Sequence, residues 1–299
     1  MLPEKSWKPE AILRFFMSVV VCFFAGSFLI AALQFGRGLS TASAFRFYAL
    51  LGSSLVFLCI TMGLLRRSWI LEDNILRVAA ILACFYAGLT LGAFAARNAG
   101  VIRPSVAQMI ISALSLQGAV LVLLTPFLRV HGLSWSEAFG LKNHTIRAVL
   151  AGLAVGAAFL PLAWLLQAFS AQMMTWVHVK PVQQQAVQTL QLDNASLGRA
   201  IFGAISIVLV PPAEESFFRG ILYTWIRSAG YPTVALWGTS LLFAAIHANL
   251  MSFIPLAAFA LALAMLYEKT NNLLAPISAH ALFNAANLLR LYLIERSLT

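Results

Sequence analysis

Apolar residues run along this chain in long blocks, and the polar positions collect between the blocks. An α-helix needs roughly 20 mainly apolar residues to cross a bilayer. By that measure the pattern predicts about nine spans: residues 11–32, 45–65, 75–95, 106–128, 148–169, 199–226, 234–247, 250–267 and 273–294. The seventh and eighth are short and almost continuous, so a count of eight is equally compatible with the pattern. The expected fold class is all-α, a polytopic transmembrane helical bundle of about eight to nine spans around an intramembrane polar cavity.

Two polar connections are more than links. Residues 132–142 read GLSWSEAFGLK, with Ser134 and Glu137 at capping-box spacing and Leu133, Trp135 and Phe139 supplying apolar surface. That predicts a short interfacial helix. Residues 171–198 carry Gln183, Gln184, Gln185, Gln188 and Gln191. Two readings of this segment stand side by side: a surface helix after Pro181 lying over a site, or a polar connector. Trp7, Trp69, Trp135, Trp176 and Trp225 fall near span ends, where amphipathic rings favour the headgroup level.

Composition strengthens the membrane reading. Of 299 residues, 61% are hydrophobic and 10% charged, against about 25% charged in a soluble domain. Mean hydropathy is +0.86. The net charge of +10 comes largely from residues flanking apolar blocks, among them Lys5, Lys8, Arg14, Arg66, Arg67, Arg129, Lys142 and Arg147. Such placement sets topology and gives no reason to expect a nucleic-acid partner. The bias favours a cytoplasmic N-terminus, with the first block a retained anchor in the cytoplasmic membrane of a prokaryote. Cys22, Cys59 and Cys84 lie inside apolar blocks and read as packing residues.

Ionisable residues at membrane depth cost roughly 2.5–3.5 kcal/mol each on insertion scales, so their positions point to function. They change in frequency near Arg129. Residues 1–130 form an N-terminal group of about four spans whose role is unassigned; residues 131–299 form the part expected to carry chemistry, with a motif core at 201–287. Three clusters lie there: Pro211-Pro212-Ala213-Glu214-Glu215-Ser216-Phe217-Phe218-Arg219-Gly220, Phe243-Ala-Ala-Ile-His247, and His280-Ala-Leu-Phe-Asn284. A helix restarting after Pro212 would hold both glutamates in its first turn. Glu215 and Arg219 share a helix face and suit an ion pair. Glu214, about 100° away, faces other partners and is left for chemistry.

A carboxylate, two histidines and an amide make a hydrolytic set. Glu214, aided by His247, deprotonates a water, and His280 and Asn284 stabilise the oxyanion. Other designs are excluded by pattern. Neither His247 nor His280 begins a His-Glu-x-x-His motif, Asp73 and Asp193 lie in connections, and Gly238-Thr-Ser-Leu-Leu242 lacks the second glycine of a nucleophile elbow.

The ordered set Glu214-Glu215-x-x-x-Arg219, Phe243-x-x-x-His247 and His280-x-x-x-Asn284 resembles the CPBP (ABI, CAAX protease and bacteriocin-processing) intramembrane endopeptidases, a group that includes the type 2 CAAX prenyl proteases. The resemblance covers about 90 residues. It implies endopeptidase activity on a membrane-anchored protein or peptide, with Glu214 as general base, His247 positioning the water, and His280 and Asn284 as oxyanion hole. Glu215, Arg219 and Phe243 are supporting residues in this reading. No cofactor is expected and metal-free water activation is favoured; a zinc site, if present, would draw on Glu214, His247 and His280. Two other classes were weighed. A non-catalytic scaffold or chaperone of the same fold would not need the intact set. A transporter built on the broken helix at Pro211-Pro212 would call for a second broken span in the first half, which the sequence lacks.

Overall fold

The structure is a computed structural model that describes residues 7–34, 41–65, 105–192 and 196–298. The span expected over 75–95 lies outside the described residues, as do Trp69, Asp73, Cys84 and Asp193. Every regular element among the described residues is helical. Among the described residues five helices are long and apolar enough to cross a membrane: Pro9–Ser27, Val106–Val130, Thr145–Trp176, Leu197–Ser228 and Leu250–Thr270. Their outward residues are large and apolar, with Val122, Ile146, Leu165 and Val208 all more than two thirds exposed. Only lipid solvates such surfaces favourably. The chain is a multi-pass integral membrane protein.

It divides into two compact units, Lys8–Phe127 and Met1–Trp7 with Leu128–Thr299. The first holds α1 (Pro9–Gln34), α2 (Thr41–Leu65), α3 (Val106–Ala113) and a π-helical turn, π1 (Leu114–Gly118), which leads into α4 (Ala119–Val130). Ser105 and Gln108 cap α3 reciprocally. α1 crosses π1 so closely that a Cβ on Gly26 would overlap the Ser115 side chain. Ser18, Ser27, Thr61 and Ser115 each donate to the carbonyl four residues back.

The second unit holds α5 (Trp135–Phe139), α6 (Thr145–Trp176), α7 (Gln185–Leu192), α8 (Ser196–Val208), α9 (Val210–Glu215), π2 (Ser216–Tyr223), α10 (Thr224–Ser228), α11 (Pro232–Ile246), α12 (Leu250–Thr270) and α13 (Leu274–Leu298). Its core is the layer where α6, α12 and α13 meet. Gly152 and Gly156 lie one turn apart on α6 against Ala275, Ser278 and Ala279 of α13. A Cβ on Gly156 would fall 2.8 Å from the Ala279 carbonyl oxygen. Small residues at that spacing let two membrane helices approach backbone to backbone. Phe159, Phe259 and Phe283 fill the space beside them, the last two stacked with centroids 4.2 Å apart.

The capping box predicted at Ser134 and Glu137 is formed, and Gly140 ends α5 in the left-handed conformation at φ 65°. Hydrogen bonds from Ser134, and to a lesser degree the charge of Lys142, hold the Glu137 carboxyl below its ordinary value. The apolar face of α5 packs inward through Ala138 and Phe139. Phe139 is buried, lies against Gly220, and its carbonyl accepts the Leu273 N–H at 3.0 Å. Trp7, expected near a span end, packs against the protein. It is buried, and its indole N–H donates to Thr224 Oγ1 at 2.8 Å. Glu268 ties α12 to the neighbouring helices through Arg227 at 3.0 Å and the Tyr223 hydroxyl.

Candidate active site

The helix carrying the two glutamates breaks at Leu209, one residue earlier than the prolines alone suggest. α9 starts at Val210, so Pro211 and Pro212 lie in its first turn, where a missing N–H costs little. Glu214 and Glu215 are consequently the last two residues of α9, and its first turn holds no acid. The helix dipole therefore does not explain these carboxylates; specific partners do. From Ser216 the backbone widens into π2, in which Ser216, Phe218, Arg219, Gly220, Ile221 and Tyr223 are all buried. A regular amphipathic helix would turn some of them outward. π-helical segments are frequent at functional sites, and nothing in the apolar periodicity marks this one.

Glu215 is fully buried. Its Oε1 accepts from Arg219 Nη1 at 2.9 Å and from His280 Nδ1 at 2.8 Å. Arg219 is buried too, and its Nη2 donates to the Ala260 carbonyl of α12 at 2.9 Å. The guanidinium lies 4.8 Å from the centre of the Phe243 ring. A buried charge pair is tolerated best when further hydrogen bonds satisfy it; here His280 and the Ala260 carbonyl supply two, while Glu215 Oε2 and Arg219 Nε have none.

The ring of His280 links the two glutamates. While Nδ1 serves Glu215, Nε2 lies 3.9 Å from Glu214 Oε2. The expectation that adjacent glutamates face wholly different partners is thus corrected. Glu214 remains the more open of the two, with its side chain 13% exposed.

His247 sits just beyond the last turn of α11. Its Nδ1 donates to the Phe243 carbonyl at 2.7 Å, satisfying a helix-end acceptor. The four-residue spacing of Phe243 and His247 serves that bond. It fixes the imidazole tautomer and leaves Nε2 as a lone-pair nitrogen. The chain then reverses at Ala248 with φ 47°, and Asn249 caps α12 through Ser252 N–H at 2.9 Å. The Phe243 ring is in contact with both histidines, with centroids 4.9 Å from His247 and 5.8 Å from His280. Its position makes it a packing residue that spaces the two imidazoles.

Asn284 lies one turn beyond His280 on α13. Its Nδ2 donates one hydrogen bond to the Ser206 carbonyl of α8 at 2.9 Å, leaving the second amide hydrogen.

Glu214, Phe243, His247, His280 and Asn284 line one cavity of about 580 Å³, while Glu215 and Arg219 stand behind its wall. The polar segment 171–198 contributes Gln183, Gln184 and α7, whose Ala186, Val187 and Leu190 face the same space. The helix after Pro181 is therefore present and borders the cavity. Asn249 Nδ2 ties its approach down through the Val182 carbonyl at 2.8 Å. Sequence reasoning missed Gly152 and Gly156, whose Gly-x-x-x-Gly spacing was available, and Trp164, Asn287 and Arg290 in the far wall. Among the described residues no three His, Cys, Asp or Glu side chains are grouped to hold a metal ion.

Residues 196–286 match the family model described as type II CAAX prenyl endopeptidase, Rce1-like. A curated relative, the uncharacterised protein YpbD of Bacillus subtilis (strain 168), is 36% identical over 104 residues, covering 31% of this chain and 51% of that protein. The chain thus spans about half the length of the curated relative it matches. No solved structure matches significantly. The matched segment contains Glu214, Glu215, Arg219, Phe243, His247, His280 and Asn284, so every residue of the candidate site falls in the part of the chain that is similar to that family.

Proposed function

We propose that this protein is an intramembrane endopeptidase that hydrolyses a peptide bond of a membrane-associated protein or peptide. The observation that carries the reading is that a carboxylate, two imidazoles and an amide line one cavity among apolar helices. In this reading Glu214 takes a proton from a water held by His247 Nε2, and the resulting hydroxide attacks the scissile carbonyl. Protonated Glu214 then passes that proton to the departing amine. The oxyanion receives hydrogen bonds from His280 Nε2 and the second amide hydrogen of Asn284. With Nδ1 already donating to Glu215, His280 needs both ring protons to donate from Nε2. Glu214, Glu215, Arg219 and such an imidazolium sum to zero charge, the cheapest arrangement at low dielectric.

No step is routed through a metal. The zinc donors named from sequence would be Glu214, His247 and His280, and the described side chains are not grouped as a ligand set. The reading is tested with a quenched lipidated-peptide library in nanodiscs, comparing wild type with Glu214→Ala, with and without chelator. Cleavage by wild type alone, insensitive to chelator, is expected. Equal cleavage by both would remove Glu214 from the role of base, and chelator-sensitive cleavage would overturn the metal-free mechanism.

A further inference from the structure

The first turns of α12 also border the cavity, and they carry polar groups that the hydrolytic set does not use. Met251, Ser252, Pro255, Leu256 and Phe259 all line it. Ser252 is only 6% exposed. Its backbone N–H is taken by Asn249 Oδ1 at 2.9 Å, while its hydroxyl has no hydrogen-bond partner among the described residues. Pro255 stands inside α12. Having no N–H, it cannot donate to the Met251 carbonyl four residues back, and its ring pushes that carbonyl aside. A helix carbonyl points along the axis toward the residue four ahead, so the released oxygen lies over Pro255, on the cavity face. A backbone oxygen released at membrane depth must meet protein or another polar group rather than lipid. A buried hydroxyl and a released carbonyl on adjacent residues thus border the same space.

Resting on the peptidase reading, we infer that the Met251 carbonyl and the Ser252 hydroxyl form a subsite for the main chain of an extended substrate. The carbonyl accepts one substrate N–H, and the hydroxyl donates to a substrate carbonyl. A peptide offers that donor and acceptor in nearly every residue, whatever its side chains. Main-chain bonds of this kind supply affinity, while side-chain pockets supply specificity. The same face of α12 runs on through Leu256 to Phe259, whose ring stands edge-on to His280 with centroids 5.9 Å apart. From Ser252 to Phe259 the helix rises about 10 Å. That is the length of about three extended residues. The bound amide therefore lies within about three residues of the scissile bond.

The test uses the full chain in nanodiscs and fluorescent lipidated peptides in which one amide N–H at a time is replaced by an ester oxygen. The scan runs about five residues to either side of the cleaved bond, which itself stays an amide. Kd by polarisation and KM by cleavage are read for wild type, Pro255→Ala and Ser252→Ala, with thermal shift as the folding control. In wild type, one ester within about three residues of the cleaved bond is expected to raise Kd and KM about tenfold, the effect of one lost hydrogen bond. Pro255→Ala returns an N–H to the helix and occupies the Met251 carbonyl. It is expected to abolish the ester penalty and to bind the all-amide peptide as weakly as wild type binds that ester. Ser252→Ala weakens all the peptides alike and keeps the penalty. A flat ester scan in wild type, a penalty that survives Pro255→Ala, or a Ser252→Ala variant that binds as tightly as wild type overturns the inference. Position-specific, Pro255-dependent binding without cleavage keeps this subsite and sinks the peptidase reading. Glu214-dependent cleavage with a flat scan does the reverse, and no binding of any peptide overturns both.

Discussion

Both units carry hydroxyls bonded back to their own helices, and in the second several described side chains also bond from helix to helix. In Lys8–Phe127, Ser18, Ser27, Thr61 and Ser115 bond back to their own helices. In the unit holding Leu128–Thr299, the decisive polar bonds run between helices: His280 to Glu215, Arg219 to Ala260, Asn284 to Ser206, Trp164 to Asn287. A back-bonded hydroxyl travels with its helix and carries no information about its neighbours. A cross-helix bond in a water-poor interior fixes the register of both partners, because breaking it strands a polar group. The second unit therefore bears costly residues that hold one geometry, which a site for hydrolysis requires.

That contrast yields graded expectations. In the proposed mechanism His247→Ala removes the water-positioning nitrogen, together with one ring contact to Phe243. Cleavage should fall by about 10²–10⁴-fold with little change in thermal unfolding. Arg219→Met leaves the Glu215 charge buried with one partner fewer and should cost about 3–5 kcal/mol. Adding Glu215→Gln should recover much of that loss, and thermal unfolding of the single and double variants checks it. Gly156→Val wedges α6 from α13 and should cost about 1–3 kcal/mol, with cleavage falling as His280 and Asn284 move. Ser27→Ala and Thr61→Val should be nearly silent, within about 0.5 kcal/mol; a loss as large as that of Gly156→Val would break the comparison.

The smallest effect is at Glu137. Its folded-state carboxyl titrates below the ordinary value of 4.5. A depressed acid stabilises the fold above its unfolded-state value, and that contribution is lost as pH falls through the folded value. Replacing Glu137 with Gln should therefore flatten the stability profile only below about pH 4.5, read by comparing unfolding midpoints across pH.

The spans were legible because a membrane helix is written in its own composition, and eight of the nine predicted blocks fall on described helices. The capping box that opens α5 was legible because capping is local. The Glu215–Arg219 pair, four residues apart on the chain, was equally so. What sequence could not carry is non-local. The sharing of His280 by both glutamates depends on the register of α13 against α9, which Gly152 and Gly156 set from a third helix. The inward face of α5 depends on Gly220 opposite Phe139. π2 depends on packing around Arg219 and leaves no mark in the apolar periodicity.

The central claim is that two adjacent glutamates divide the labour, Glu214 moving protons and Glu215 holding Arg219 and His280. The most direct measurement is peptide cleavage and thermal unfolding of Glu214→Gln beside Glu215→Gln, both in nanodiscs. The account predicts that Glu214→Gln loses cleavage by at least about 10²-fold at unchanged stability, while Glu215→Gln lowers the unfolding temperature. The reverse pattern, with Glu214→Gln still active and Glu215→Gln stable but inactive, would contradict it.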